Sequence, residues 1–332
     1  MIVWETTAIF CACIAAMSWA SVRLTQALER IGARIGFSDA LLGIVVASGA
    51  DAPEISSAVA ALFAERHDVG FGVVIGSNIF NLAGLLGLSA VVAGRVEIGR
   101  QGLWLNGGVS LAVSAIGLAL LFRAIPVGVS VALLLLVLTP YVALAAMRRP
   151  ERIAGFRLPR KARSFLSAAI AHSHAHTRGR SHVAAASWRD GVWLAASIVI
   201  IVGASFGAVD SAVALGLHWG INETIIGMLV LAALTSIPNV IAAIELARDG
   251  RGSAVISEAL NSNSFNFLAG IALPAIAIGF AAPRSGILYA AVWLLFMKLV
   301  ALVAASRKGG LSRVGGAAII VLYLLFVAAV IA

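Results

Sequence analysis

Apolar residues come in blocks of about 20 along this chain, separated by short polar stretches, the length an α-helix needs to cross a hydrocarbon core of about 30 Å. The blocks fall near residues 3–22, 39–63, 69–93, 102–122, 127–147, 192–214, 225–247, 254–280, 285–304 and 314–332. They predict an all-α polytopic membrane protein of about ten transmembrane helices. The first block carries only Glu5 before Arg23 and lacks a basic leader, so it reads as a retained span rather than a signal peptide.

Composition agrees with that reading. Of the 332 residues, 61% are hydrophobic and 12% charged, which excludes a disordered chain and an ordinary cytosolic enzyme. A net charge of +9 could point to nucleic acid, but the distribution of the charges argues otherwise. Twenty positive residues fall in one set of alternating loops: Arg23 to Arg34, Arg95 and Arg100, Arg148 to Arg189, Arg248 and Arg251, and Arg307 to Arg313. The opposite loops carry only Arg66, Arg123 and Arg284, and Lys298 lies inside a span. Positive charge marks the cytoplasmic side, so both termini are expected outside, in the plasma (inner) membrane, with no nucleic-acid partner. Cys11 and Cys13 lie two apart and point to different helix faces, which reads as small buried side chains rather than a disulfide or metal pair.

The chain divides into a first membrane half (1–147), a basic cytoplasmic loop (148–191) and a second membrane half (192–332). The loop holds His172, His174, His176 and His182 in HSHAHTRGRSH. This is either a metal-sensing or metal-delivering tract or, the plainer reading, a solvated loop that is His-rich by composition. The mixed basic and apolar stretch from Phe156 to Ile170 could lie on anionic inner-leaflet lipid or could serve as topogenic charge alone. Nothing implies an obligate protein partner.

The two halves repeat. At a shift of 185 residues Pro53 matches Pro238, Arg66 matches Arg251, Ser77-Asn78 matches Ser262-Asn263, and Phe80-Asn81 matches Phe265-Asn266. Five spans, an odd number, separate the copies, so they run in opposite senses through the membrane. Two inverted five-helix repeats of this kind build secondary transporters, with the ion site at the midplane. Each copy has a proline inside an apolar run, which frees a backbone carbonyl that can coordinate a cation or simply kinks the helix.

Candidate ligands gather at these prolines. Asp51 and Glu54 flank Pro53, and carboxylates at bilayer depth are functional by default. Their counterparts, Ser236 and Asn239, are uncharged oxygen donors. Glu258 precedes Ser262 by one turn, while Ser77 and Asn81, like Ser262 and Asn266, sit four apart on one face. Such hard oxygen donors suit Na⁺ or Ca²⁺. Polar side chains that only hold helices together are the alternative.

The first repeat reads ASGADAPEISSA then VIGSNIFNLAG, and the second LAALTSIPNVIAA then ALNSNSFNFLAG. These segments resemble the repeat cores of the cation/calcium exchanger superfamily, Gly-Thr-Ser-x-Pro-Glu and Gly-Ser-Asn-Ile-x-Asn. The resemblance implies ligand roles for Glu54, Ser77, Asn81, Thr235, Ser236 and Ser262. Three positions depart from the pattern: Ala50 and Asp51 stand where the family has Thr and Ser, and Asn239 replaces a Glu. The implied activity is antiport of Ca²⁺ against Na⁺ or H⁺ with no cofactor. The alternatives are a monovalent cation/proton antiporter and a non-transporting scaffold or sensor. No nucleotide loop or nucleophile motif suggests an enzyme.

Overall fold

A computed structural model describes residues 3–97, 99–147, 164–166, 187–307 and 309–332. The His-rich tract and nearly all of the basic stretch around it lie outside the described residues. The first half comprises α1 (Val3–Ile35), α2 (Asp39–Ala50), α3 (Ala52–Phe63), α4 (His67–Asn81), a π-helical segment (Leu82–Leu88) that continues into α5 (Ser89–Ala93), strand β1 (Arg95–Val96), α6 (Arg100–Leu121) and α7 (Val127–Ala146). The second half comprises α8 (Trp188–Trp219), α9 (Glu223–Ile225), a π segment (Ile226–Leu231), α10 (Ala232–Arg248), α11 (Gly252–Phe267), a third π segment (Leu268–Ala272), α12 (Leu273–Ile278), α13 (Ser285–Ala305), β2 (Leu311–Ser312) and α14 (Arg313–Ile331).

The helices recur at the spacing of the motifs. α1 and α8, α4 and α11, and α6 and α13 each begin 185 residues apart, the separation of the Asn78–Asn263 hydrogen bond. Among the described residues, eight helical stretches are long and apolar enough to cross a membrane. The expected second span is instead two shorter helices, α2 and α3, which meet at Asp51. The expected eighth span runs through α11 and α12, where the polar run Asn261–Ser264 dilutes its apolar character.

Proline has a different effect in each copy. Pro53 has no N–H to offer the Gly49 carbonyl, four residues back. The chain breaks there, and the Gly49 and Ala50 carbonyls accept from Ser21 Oγ of α1 at 3.3 and 3.2 Å. Pro238 does not break its helix: α10 runs continuously from Ala232 to Arg248. The two matched prolines therefore break the helix in one repeat only. Near Pro238 the Thr235 hydroxyl donates to the Leu231 carbonyl at 2.8 Å, binding the preceding turn from the side.

α4 is the centre of the molecule, with 94% of the apolar window from His67 to Ala93 buried. Its approach to the second half is at backbone distance. A Cβ on Gly76 would collide with the Met228 carbonyl, and one on Gly227 with the Val69 carbonyl. Only glycine lets these backbones touch. α1 and α8 pack along each other and both against α3, and α1 also packs on α2. They are tied by Arg30–Asp190 at 3.0 Å and by Arg23 stacked over Trp19 and Trp193. β1 and β2 form a two-residue antiparallel ribbon, Arg95 opposite Ser312 and Val96 opposite Leu311.

Candidate functional site

The break between α2 and α3 places two carboxylates in the interior. Asp51 caps both helices and Glu54 lies in the first turn of α3, where the helix dipole favours negative charge. They are 2% and 1% exposed. Among the described residues no Lys, Arg or His forms an ion pair with either. Their hydrogen-bond donors are neutral and come from the second repeat. Ser236 Oγ donates to Glu54 Oε1 at 2.9 Å, and Asn239 Nδ2 donates to Asp51 Oδ1 at 2.9 Å and to Glu54 Oε1 at 3.1 Å. Ser262 Oγ donates to Asp51 Oδ1 at 2.8 Å. Glu54 and Asn239, equivalent positions of the two repeats, thus touch.

α4 and α11 close the other side. Asn81 Nδ2 donates to Ser262 Oγ at 3.0 Å, and Asn266 Nδ2 donates to Asn78 Oδ1 at 3.2 Å. Asn78 and Asn263 bind each other reciprocally: each side-chain amide donates to the other's backbone carbonyl at 3.2 Å. Sequence reading matched this pair in register but did not place it in the site. Its signal was the unbroken recurrence of Ser-Asn at the repeat shift. The π segments start directly after Asn81 and after Phe267, a placement common beside functional residues.

Of the ten sequence-derived candidates, Asp51, Glu54, Asn81, Ser236, Asn239, Ser262 and Asn266 join one buried hydrogen-bonded network. Ser77 and Thr235 are buried, but their hydroxyls donate to carbonyls of the turns just before them, Val74 and Leu231, leaving lone pairs available. Glu258, one turn before Ser262, is only half-buried.

The network is short of donors. Asp51 Oδ2, Glu54 Oε2, Asn81 Oδ1, Asn239 Oδ1 and Asn266 Oδ1 are buried acceptors with no hydrogen-bond partner. One such oxygen costs about 1–3 kcal/mol, more if charged. Five in one network, two of them carboxylate, are what an oxygen-ligated cation would satisfy. Ca²⁺ takes six to eight oxygens and tolerates irregular geometry, so the donor set fits a hard cation. The donors gathered here are carboxylate, amide and hydroxyl oxygens, with no His or Cys among them.

Comparison with known proteins agrees. The family model for the sodium/calcium exchanger protein matches residues 5–148 and 191–332. The inner membrane protein YrbG of Escherichia coli is 27% identical over 274 residues, covering 76% of this chain and 74% of YrbG. The fold is that of the H⁺/Ca²⁺ exchanger CAX, with a TM-score of 0.73 at 14% identity, covering 98% of this chain and 85% of that one. It is also that of the sodium-calcium exchanger NCX_Mj, with a TM-score of 0.63 at 17% identity, covering 98% and 99%. Two repeats with matched helices, meeting at a buried acidic site short of donors, are thus accompanied by a family match over both halves, and the chain belongs to the sodium/calcium exchanger family of membrane antiporters.

Proposed function

We propose that the chain exchanges Ca²⁺ against Na⁺ or H⁺ by alternating access to one midplane site. The observation that carries this reading is the set of five partnerless buried oxygens around two carboxylates that have no basic partner among the described residues. Asp51 and Glu54 supply the charge. Ser77, Asn81, Thr235, Ser236, Asn239, Ser262 and Asn266 supply neutral oxygens from both repeats. A divalent ion held by neutral oxygens alone would bind weakly, because charge count sets affinity. Asp51 stands where the family pattern has Ser and Asn239 where it has Glu, so the two changes together keep two acids at the site. The two neighbouring carboxylates repel each other, so a proton retained by one when no ion is bound would leave as the cation enters.

The charge bias of the loops supports outward termini and an inward 148–191 loop in the plasma membrane, with its basic segment near anionic lipid. The test is flux into proteoliposomes with Na⁺ and pH gradients imposed separately while Ca²⁺ uptake is followed. Uptake driven by either gradient supports the proposal. Exchange of Na⁺ or K⁺ for protons without Ca²⁺ movement would favour the monovalent antiporter instead.

A further inference from the structure

Lys298 lies midway along α13 and is 0% exposed, in the interior of a membrane protein. Its amine reaches three oxygens, all on α6: the Ser110 carbonyl at 3.3 Å, Ser110 Oγ at 2.9 Å and Ser114 Oγ at 2.6 Å. Among the described residues it forms an ion pair with no carboxylate. An intramembrane lysine marks a function by default, and the exchange site does not use this one. The elements packed on α13 bring no opposite charge to its middle. α4 carries His67 and Asp68 at its start, α6 carries Arg100 at its start, and α14 carries Arg313 at its start and Tyr323 further along. The Leu82–Leu88 segment and β2 carry no charged residue. Tyr289 of α13 itself stacks among aromatic rings, and Tyr323 packs on Phe80.

The three oxygens suit both protonation states. The Ser110 hydroxyl is committed, donating to the Leu260 carbonyl at 3.0 Å, so Ser110 offers the amine two acceptors and no hydrogen. Ser114 Oγ accepts from Lys298, and no acceptor for its own hydrogen occurs among the described residues. An ammonium donates its three hydrogens to the three oxygens. A neutral amine donates two to Ser110 and accepts one from Ser114. Gain or loss of the proton therefore needs one hydroxyl to turn and no heavy atom to move. The other end of the Ser110 bridge is Leu260, two residues before Ser262, whose hydroxyl donates to Asp51.

We propose that Lys298 is a proton-binding residue that couples to the cation site through α6 and α11. The inference rests on the cation-exchange reading above. A proton taken from water makes the amine an ammonium, adding one positive charge to the membrane interior that also holds Asp51 and Glu54. That charge opposes cation entry, and release of the proton to water favours it. Cation binding and Lys298 protonation thus disfavour each other, the sign of linkage an antiporter requires.

The experiment counts protons released when Ca²⁺ is added to the purified full chain, from mildly acidic to mildly alkaline pH, by titration calorimetry in buffers of different ionisation heat. The same count is made with Na⁺, so that failure of Ca²⁺ to bind tells against the calcium reading alone. K298M is expected to release about one proton fewer per ion than wild type over part of that range, and K298R, which stays charged, likewise. S114A keeps the amine but removes the hydroxyl that turns, and is expected to move the midpoint pH of release. This variant and K298R carry the test if K298M does not fold. Equal proton counts in wild type and the Lys298 variants, or an unmoved midpoint in S114A, would overturn the proposal. A lysine that only holds α6 to α13 would change stability but not the count.

Discussion

Replacing Glu54 by Gln should separate the stability of the site from its affinity. The shape is kept, and the oxygen that accepts from Ser236 and Asn239 remains an acceptor. Asp51 Oδ1 and Glu54 Oε1 lie 2.9 and 3.1 Å from the same Asn239 nitrogen. They are therefore at most about 6 Å apart, and two full charges at that distance repel by about 3 kcal/mol at an effective dielectric of about 20. The substitution removes that repulsion or, where the ion-free pair relieves it by holding a proton, the cost of that proton. Against it, two hydrogen bonds to a charged acceptor become neutral ones, each weaker by roughly 1 kcal/mol. The two effects nearly cancel, so the ion-free variant should melt within a few degrees of wild type. Binding has no such offset: losing one of two ligand charges should weaken Ca²⁺ by about a hundredfold or more. At Ca²⁺ one hundred times the wild-type Kd, the ion then stabilises wild type by about 2.7 kcal/mol and the variant by about 0.4 kcal/mol. Thermal unfolding of the purified protein with and without Ca²⁺, alongside flux into proteoliposomes, measures both. Near-normal flux, or a Ca²⁺-dependent rise in melting temperature equal to wild type, would refute the assignment of Glu54 as a ligand.

Asp51→Ser alone should lose Ca²⁺ transport, whereas Asp51→Ser with Asn239→Glu should retain it, because position 239 already touches Glu54; unchanged affinity and pH dependence in the single variant would show that Asp51 is not a ligand. Single cysteines placed in 150–190 should resist an impermeant reagent applied to intact cells, while deleting the segment should leave basal flux in place; ready labelling from outside would overturn the orientation. Gly76→Ala should destabilise the fold by about 3 kcal/mol or more, because the new Cβ meets the Met228 backbone rather than a side chain that can move, and a yield and melting temperature equal to wild type would contradict the close approach.

Much of this site was legible because its chemistry conflicts with its surroundings. Asp51, Glu54 and the Ser-Asn pairs stand out in apolar runs, and the recurrence of the prolines and the Ser-Asn pairs at a fixed shift marks two related copies in the sequence itself. The outcome at Pro238 was not legible. Proline gives the same local instruction in both copies, yet the chain breaks only where Ser21 of a neighbouring helix donates to the freed carbonyls. That is a tertiary fact with no local signature. The role of Asn78 and Asn263 was hidden for the opposite reason: an amide that binds backbone and one that binds an ion look identical in sequence. Lys298 was visible only as a charge inside a span, since its partners are three oxygens of a helix remote in the chain.

The reciprocal bond between Asn78 and Asn263 has a geometric consequence. Each amide serves its counterpart's carbonyl, at equal lengths of 3.2 Å, so exchanging the two repeats maps the pair onto itself. Any motion in which one repeat takes up the shape of the other must therefore begin and end with this bond unchanged. In such a motion it would serve as a fulcrum, the point of a lever that bears load without travelling. The acids do not share this property, because both belong to the first repeat. A mechanism built on an exchange of shapes thus turns about a symmetric centre while carrying an asymmetric charge, and the two sides of the membrane meet the same joint but not the same electrostatic face.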